Sequence, residues 1–359
     1  MRAPKSPPGY STIPPVEPDK PRPFWSVIIP TYNRTKYLES TLRSVLDQAD
    51  AEGKPYDKGR MQIIVVDNAS TQPGVEEMVR RVGGGRVEFF QQPSNLGVVH
   101  NFNTGLRHAR GHWVHILHDD DMVLPGFYAA FEELAQEHPE VGLAFCRTIA
   151  MSPQGRWRHI LQPPCAGEPK TGVWQDGLSL FVSENPNDYL RCPAIVVARR
   201  AYEECLGFDP AFSYSADMQM WMRVAARFEV GYVDQPLALY REHLASDSMT
   251  LIQQGDVFYD IERTVRMGLS LLPPEKRAEA RKGANRMGAG LSALYQYHMA
   301  NMGAHRAALR YARHLFHYDP TKYSARLLLV SLVRAVVQTA KEQLGQSAVK
   351  TEDKSEARR

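Results

Sequence analysis

Three short apolar runs, Ser26–Ile29 (SVII), Met61–Val66 (MQIIVV) and Trp113–Leu117 (WVHIL), each stop at a polar turn. Each reads as a strand broken by turn residues. Between the first two, Leu38, Leu42, Val45 and Leu46 follow helical spacing, and a further helix is expected from Asn95-Leu96-Gly97 to about Ala109, after a strand at Val87–Gln91. Strands alternating with helices imply an α/β fold with a mainly parallel sheet and right-handed crossovers. In such sheets, ligands bind beyond the carboxyl ends of the strands, where these polar turns lie.

The third run leads into Asp119, Asp120 and Asp121, within ILHDDDMVLPG. Adjacent carboxylates disfavour one another's ionisation unless solvent or a cation relieves them. One reading is a solvated loop with an aspartate capping a helix that begins near Gly126. The other is a site for Mg²⁺ or Mn²⁺ bridging phosphates, since hard oxygen ligands suit those ions.

Four motifs in order, SVIIPTYNR, IIVVDNAST, NLGVVHNFNTGL and HILHDDDMVLPG, make the chain resemble the inverting family-two glycosyltransferases with the GT-A, Rossmann-like nucleotide-sugar fold, over roughly Trp25 to Ser248. The resemblance implies a donor nucleotide held by the first two turns (Pro30, Thr31, Asn33, Arg34, Asp67, Asn68), with Asn95, Gly97 and Asn101 closing the site. It also implies an aspartate cluster holding Mn²⁺ or Mg²⁺ on the donor diphosphate. Aligning on the following LPG puts His118 where the family often has its first acidic residue. Asp120 is then the expected direct ligand, Asp121 a supporting one, and Asp119 a ribose or metal-shell candidate.

The second half holds GFDPAFSYSADMQMWMR, Gly207 to Arg223. From its own pattern Asp217 is a carboxylate at a helix start, ahead of an apolar stripe of Met218, Trp221, Met222 and Ala225. By resemblance to the family, Asp217 is the catalytic base that deprotonates the acceptor hydroxyl. Tyr240-Arg241-x-His243 resembles the segment after the last core strand, which implies His243 as a further metal ligand and Arg241 as a contact to the diphosphate. Trp157, Trp174 and Tyr189, between the donor motifs and Asp217, are candidates for stacking on sugar, with core packing as the alternative.

Other patterns carry less. His112, His115 and His118 recur every third residue, but a strand sends His115 to the face opposite the other two. Cys146, Cys165, Cys192 and Cys205 lack the paired spacing of a zinc site or disulfide framework and read as reduced cytosolic thiols. Gly83-Gly84-Gly85 lacks the lysine of a phosphate loop and reads as a turn.

The 359 residues accommodate one sizeable α/β domain and an appendage, and a net charge of +3 gives no case for nucleic acid. The expected organisation is a disordered proline-rich arm over 1–23 and a glycosyltransferase domain over 24–249, with a donor half 24–150 and an acceptor half 151–249. An all-helical region over 250–345 and a disordered tail over 346–359 complete it. The arm has no signal-peptide character. Within the helical region LLLVSLVRAVV is too short and too interrupted by Arg334 to span a bilayer. It packs either on the appendage or a second copy of the chain, or lies in a membrane surface with Lys322, Arg326, Arg334 and Lys341 near headgroups.

The resemblance therefore implies an inverting, metal-dependent transfer of a sugar from a nucleoside-diphosphate donor to a hydroxyl of a saccharide or lipid-linked acceptor. UDP is the default nucleotide and dTDP the main alternative. The expected setting is bacterial surface polysaccharide or glycolipid synthesis, in the cytoplasm or at the inner face of the plasma membrane. Two rivals are a sugar nucleotidyltransferase, against which PTYNRTKY is no phosphate loop, and a non-catalytic nucleotide-sugar-binding scaffold.

Overall fold

The computed structural model describes residues 10–17, 22–163, 171–174, 176–183, 189–243, 246–255 and 257–356. The first apolar runs become β1 (Trp25–Thr31), β2 (Met61–Asp67), β3 (Val87–Gln91) and β4 (Trp113–Ile116), all parallel in the order β3-β2-β1-β4. Their crossovers carry helices α1 (Leu38–Leu46), α2 (Val75–Gly83) and α3 (Val98–His108). The sheet is covered on both faces, which is why these strands read as unbroken apolar runs. Alternate residues feed two cores: Ile28, Ile64 and Val66 pack with α3, while Val27, Ile29, Ile63 and Val65 pack with α1 and α2. On α3, a Cβ at Gly105 would lie 2.4 Å from Ile28 Cγ2, so glycine lets that helix approach β1 closely.

Beyond β4 the sheet becomes mixed. The chain continues through β5 (Met122–Val123), α4 (Phe127–Glu137), β6 (Val141–Met151), β7 (Trp157–Ile160), β8 (Gly172–Trp174) and α5 (Gly177–Ser183). It then forms β9 (Ile195–Ala198), α6 (Arg199–Cys205), α7 (Ala216–Ala225) and β10 (Glu229–Arg241). β9 runs antiparallel between β4 and β6, and β10 lies parallel to β6 with Arg241 opposite Met151. The carboxyl ends of β1, β2, β4, β6 and β10 thus face one edge, with the acidic turn directly after β4. The α/β sheet flanked by helices agrees with the expected fold class.

The remaining elements are α8 (Asp247–Gln254), α9 (Val257–Leu271), α10 (Pro274–Asn301), α11 (His305–Tyr318) and α12 (Lys322–Glu356). The chain divides into two compact units, Met1–His243 with Arg263–Ala280, and Leu244–Glu262 with Arg281–Arg359. This differs from the expected boundary at 249, because the second half of α9 belongs to the sheet unit: a Cβ at Gly268 would meet Val182 and Met222, and Leu269 and Leu272 join their core. In the helical unit, Phe258 packs on Tyr295, Tyr311 and His314.

Two described segments fall within the stretches read as disordered. Tyr10–Glu17 packs on the sheet unit: Ile13 is buried, Arg199 donates to Pro14 O at 3.0 Å, Gly207 N donates to Ser11 O at 2.7 Å, and Arg223 sits over the Tyr10 ring. Prolines forbid a helix there but leave carbonyls for these donors, and Tyr10 and Ile13 supply the apolar anchors. At the other end α12 remains helical to Glu356, through a stretch of helix-tolerant Gln, Ala, Lys and Glu. Residues 1–9, 18–21 and Cys165 lie outside the described residues.

Candidate active site

Asp119, Asp120 and Asp121 do not cap α4, whose first residue follows Gly126 with no side-chain cap. They form a tightly held turn instead. Thr41 Oγ1, from α1, donates to Asp121 O at 2.7 Å and approaches Asp119 O at 3.1 Å. Thr31 Oγ1 at the end of β1 donates to Asp119 Oδ2 at 2.6 Å, and Arg34 reaches Asp120 Oδ2 at 3.3 Å. From β10, the Arg241 backbone N–H donates to Asp121 Oδ1 at 2.8 Å, and His243 Nε2 lies 2.8 Å from Asp120 Oδ2.

This packing leaves two polar atoms over. Asp121 Oδ2 and His118 Nε2 are buried without a hydrogen-bond partner, whereas buried polar atoms in folded proteins are nearly always paired. The same two residues, with Asp120, each offer a ligand atom within 4.8 Å of the others. Burial, then the neighbouring Asp120 charge, pushes the Asp121 carboxyl well above its ordinary range. Burial also pushes Asp120 up, but the His243 hydrogen bond and the charges of His118 and Arg34 outweigh it and hold Asp120 low. One imidazole and two carboxylates around unpartnered atoms fit a divalent cation, Mn²⁺ better than Mg²⁺ because of the nitrogen.

The sequence placed His243 among the metal candidates and left His118 out. The geometry gathers His118 with Asp120 and Asp121, and His243 meets this cluster through Asp120 Oδ2 at 2.8 Å. His118 was visible only as the residue standing at an acidic position. Arg241 differs in another way. Its side chain is buried at the end of β10, where Nε donates to Asp120 O at 2.8 Å, Nη1 to Pro153 O at 3.2 Å, and the guanidinium lies 4.3 Å over the Tyr37 ring. It braces the acidic turn, as does Tyr37, whose ring also lies beside His243. Neither Tyr37 nor Thr41 was singled out by the sequence.

The expected nucleotide turns are bonded into one another. Asn33, at φ 52°, accepts at Oδ1 from Thr71 N at 2.8 Å and Gln72 N at 3.0 Å, and its N–H donates to Ser70 Oγ. Asp67 is buried at the end of β2, accepting from Ser70 N and from Gln91 Nε2 at 2.9 Å. Asn68 bonds Asn95 and the Leu96 N–H, and Gly97 N donates to Asn95 Oδ1, so the first, second and third motifs meet. Pro30 is held within β1 opposite Val66. Asn101 is turned inward, donating to Val66 O at 2.8 Å.

Asp217 lies in the first turn of α7 and is half-buried, with Oδ1 accepting from Met218 N at 2.7 Å. Burial raises its carboxyl, opposed by the Met218 N–H and by the positive fields of His118 and Arg191. Cys192, 3.6 Å from Ile116 O, has its thiol raised by burial and by both Asp217 and Asp121, so the two carboxylates share one neighbourhood. Arg191, its guanidinium 4.9 Å from the Tyr240 ring, is a cation the sequence gave no reason to notice. Trp174 and Tyr189 belong to the core with Phe145 and Tyr232, and Trp157 is exposed on β7. His115 is a satisfied core residue, bonded to Tyr128 OH and Pro193 O, each at 3.0 Å.

The family model described as glycosyl transferase family 2 matches residues 26–207, just over half of the chain. The chain belongs to glycosyl transferase family 2. Within that family it is similar to the GalNAc(5)-diNAcBac-PP-undecaprenol beta-1,3-glucosyltransferase of Campylobacter jejuni, at 33% identity over 119 residues, 32% of this chain and 35% of that one. Its fold matches S. aureus TarS 1-349 in complex with UDP-GlcNAc, with a TM-score of 0.59 and 14% identity over 89% of this chain and 92% of that one. It also matches the mannosyltransferase PcManGT of Pyrobaculum calidifontis in complex with GDP-Man and Mn²⁺, with a TM-score of 0.52 and 20% identity over 96% and 88% of the two chains. The fold is therefore that of the family's GT-A enzymes, and the chain is a glycosyltransferase.

Proposed function

We propose that the chain transfers a sugar, with inversion at the anomeric carbon, from a nucleoside-diphosphate sugar to a hydroxyl of a saccharide or lipid-linked acceptor, aided by a divalent cation. The observation that carries the metal is that His118, Asp120 and Asp121 bring a ligand atom each within 4.8 Å, and that two of these residues keep a buried, unpartnered atom, His118 Nε2 and Asp121 Oδ2. His118, Asp120 and Asp121 would hold the ion, which supplies charge stabilisation for the departing diphosphate.

The chain's own residues do the rest. The linked turns at Asn33, Asp67 and Asn68 present the nucleotide site, and Thr31 fixes Asp119 beside it. Arg34, partly exposed next to Asp119 and Asp120, contacts the diphosphate in this reading, whereas Arg241 positions the turn. Asp217 takes the acceptor proton; a carboxylate whose proton affinity is raised by burial is a better base than a solvated one. Attack from the face opposite the leaving group gives inversion. UDP is the proposed donor nucleotide, and proteins of the same fold form complexes with UDP-GlcNAc or GDP-Man.

The test is nucleoside-diphosphate release from a panel of UDP-, GDP- and dTDP-sugars, with Mn²⁺, Mg²⁺ or EDTA. Release with one donor, highest with Mn²⁺ and abolished by EDTA, is expected. Release at full rate in EDTA would remove the metal from the account.

A further inference from the structure

The last helix of the helical unit is packed inside out. Its inward face carries Ser324, Ser331 and Ala335, each at most 5% exposed, and Ser331 Oγ accepts from Gln296 Nε2 of α10 at 3.1 Å. Its outward face carries the large aliphatic side chains: Leu329, Val333 and Val336 are 61%, 55% and 60% exposed, and Val337 and Leu332 are exposed beside them. These positions recur at three- and four-residue spacing, so they form one stripe. Helices of water-exposed units place such residues inward, and a contiguous exposed apolar patch of this kind marks an interaction surface.

The charges around the stripe bear on what it meets. Lys322 and Arg326 stand on the same helical line as Leu329, Val333 and Val336, and Arg334 flanks them. Between residues 281 and 341 there are ten Lys and Arg and a single acid, Asp319, although the whole chain carries only +3. The unit's other acids are confined to residues 247–262 and to the segment after 341. Further large residues are exposed on α10, on α11 and in the turn between them, among them Tyr297, Phe316 and Met302. No helix of the described residues is long and apolar enough to cross a membrane.

We propose that the outward face of α12 docks on the surface of an anionic lipid bilayer, with its aliphatic stripe at the acyl boundary and the flanking Lys and Arg on the headgroups. An apolar face bordered by long cationic side chains is the pattern of helices that lie in an interface, the cations extending toward the phosphates. A second copy of the chain fits less well, because pairing this face with itself would set Lys322, Arg326 and Arg334 against the same cations. The inference concerns the helical unit and does not depend on the transferase reading.

The test uses the full chain and co-sedimentation with vesicles of phosphatidylcholine alone or of equimolar phosphatidylcholine and phosphatidylglycerol. The wild type is expected to bind the anionic vesicles, more weakly as salt rises, and to ignore the neutral ones. Two triple variants at exposed positions, Leu329→Gln/Val333→Gln/Val336→Gln and Lys322→Gln/Arg326→Gln/Arg334→Gln, are each expected to lose about tenfold or more in binding at unchanged Tm. As a measurement independent of the variants, a diazirine-bearing phospholipid should crosslink the wild type within residues 322–341. No preference for anionic vesicles, crosslinks confined elsewhere, or variants that bind like the wild type would overturn the proposal. A wild-type dimer that the Leu/Val triple dissociates, without vesicle binding, would overturn it in favour of an interface between copies.

Discussion

His243 Nε2 lies 2.8 Å from Asp120 Oδ2, and Arg34 reaches the same oxygen at 3.3 Å, so both neighbours meet one oxygen of the Asp120 carboxylate. That leaves His118 and Asp121 as the groups whose buried atoms lack partners. His118→Ala should therefore lower Mn²⁺ affinity by about 10–100-fold, and His243→Ala, which frees the Asp120 carboxylate to rotate, should also weaken it. Calorimetric titration of Mn²⁺ into each variant checks this; wild-type affinity in His118→Ala would exclude the imidazole from the site.

Arg241 holds the acidic turn through backbone carbonyls. Arg241→Met keeps much of the stem but strips the donors from Asp120 O and Pro153 O, and should cost about 1–3 kcal/mol of stability. A lowered Tm by calorimetry is the expected readout, together with weaker Mn²⁺ binding. A variant with wild-type Tm would show that the guanidinium is dispensable as a brace and return it to the list of diphosphate contacts.

The aromatic candidates for sugar stacking separate by burial. Trp174→Ala should cost about 3–5 kcal/mol, because the indole sits among Phe145, Tyr189 and Tyr232. Trp157→Ala should leave stability unchanged, since that ring is 62% exposed. If Trp157→Ala also raises the KM for an acceptor, β7 borders the acceptor path; denaturation midpoints and acceptor kinetics on both variants decide.

His115 makes stability fall on the acid side. Burial, partly offset by the Pro193 carbonyl, depresses its pKa to about 3 from an ordinary 6.5. Between those values the unfolded chain binds a proton that the folded chain does not, so stability declines as pH drops from 6.5, by about 1.4 kcal/mol per unit, until pH nears 3. Tm measured across this range should fall less steeply in His115→Gln than in the wild type. Equal slopes would mean that His115 takes up its proton while folded.

The parallel half of the sheet was legible because β1, β2 and β4 are buried on both faces and so appear as short unbroken apolar runs ending in polar turns. What those turns do to one another was not. Nothing in the spacing of Asn33 and Thr71, or of Asn68 and Asn95, says that their side chains meet. His118 was discounted because a histidine at an acidic position reads as a departure, and its geometry depends on a turn that Thr41 fixes from a distant helix. Arg241 looked like a loop cation because the register of β10 against β6, which buries it, is a long-range fact. For the last helix the sequence left packing and a membrane surface open, because the spacing of its aliphatic residues does not say that Ser324, Ser331 and Ala335 are the buried ones.

The central claim rests on Asp217 as the base beside a metal-held donor. Its most direct test is turnover of Asp217→Asn against the wild type, with donor Kd measured on both. The account predicts a fall in kcat of about 10²–10⁴-fold with donor Kd unchanged; an unchanged kcat in Asp217→Asn would contradict it.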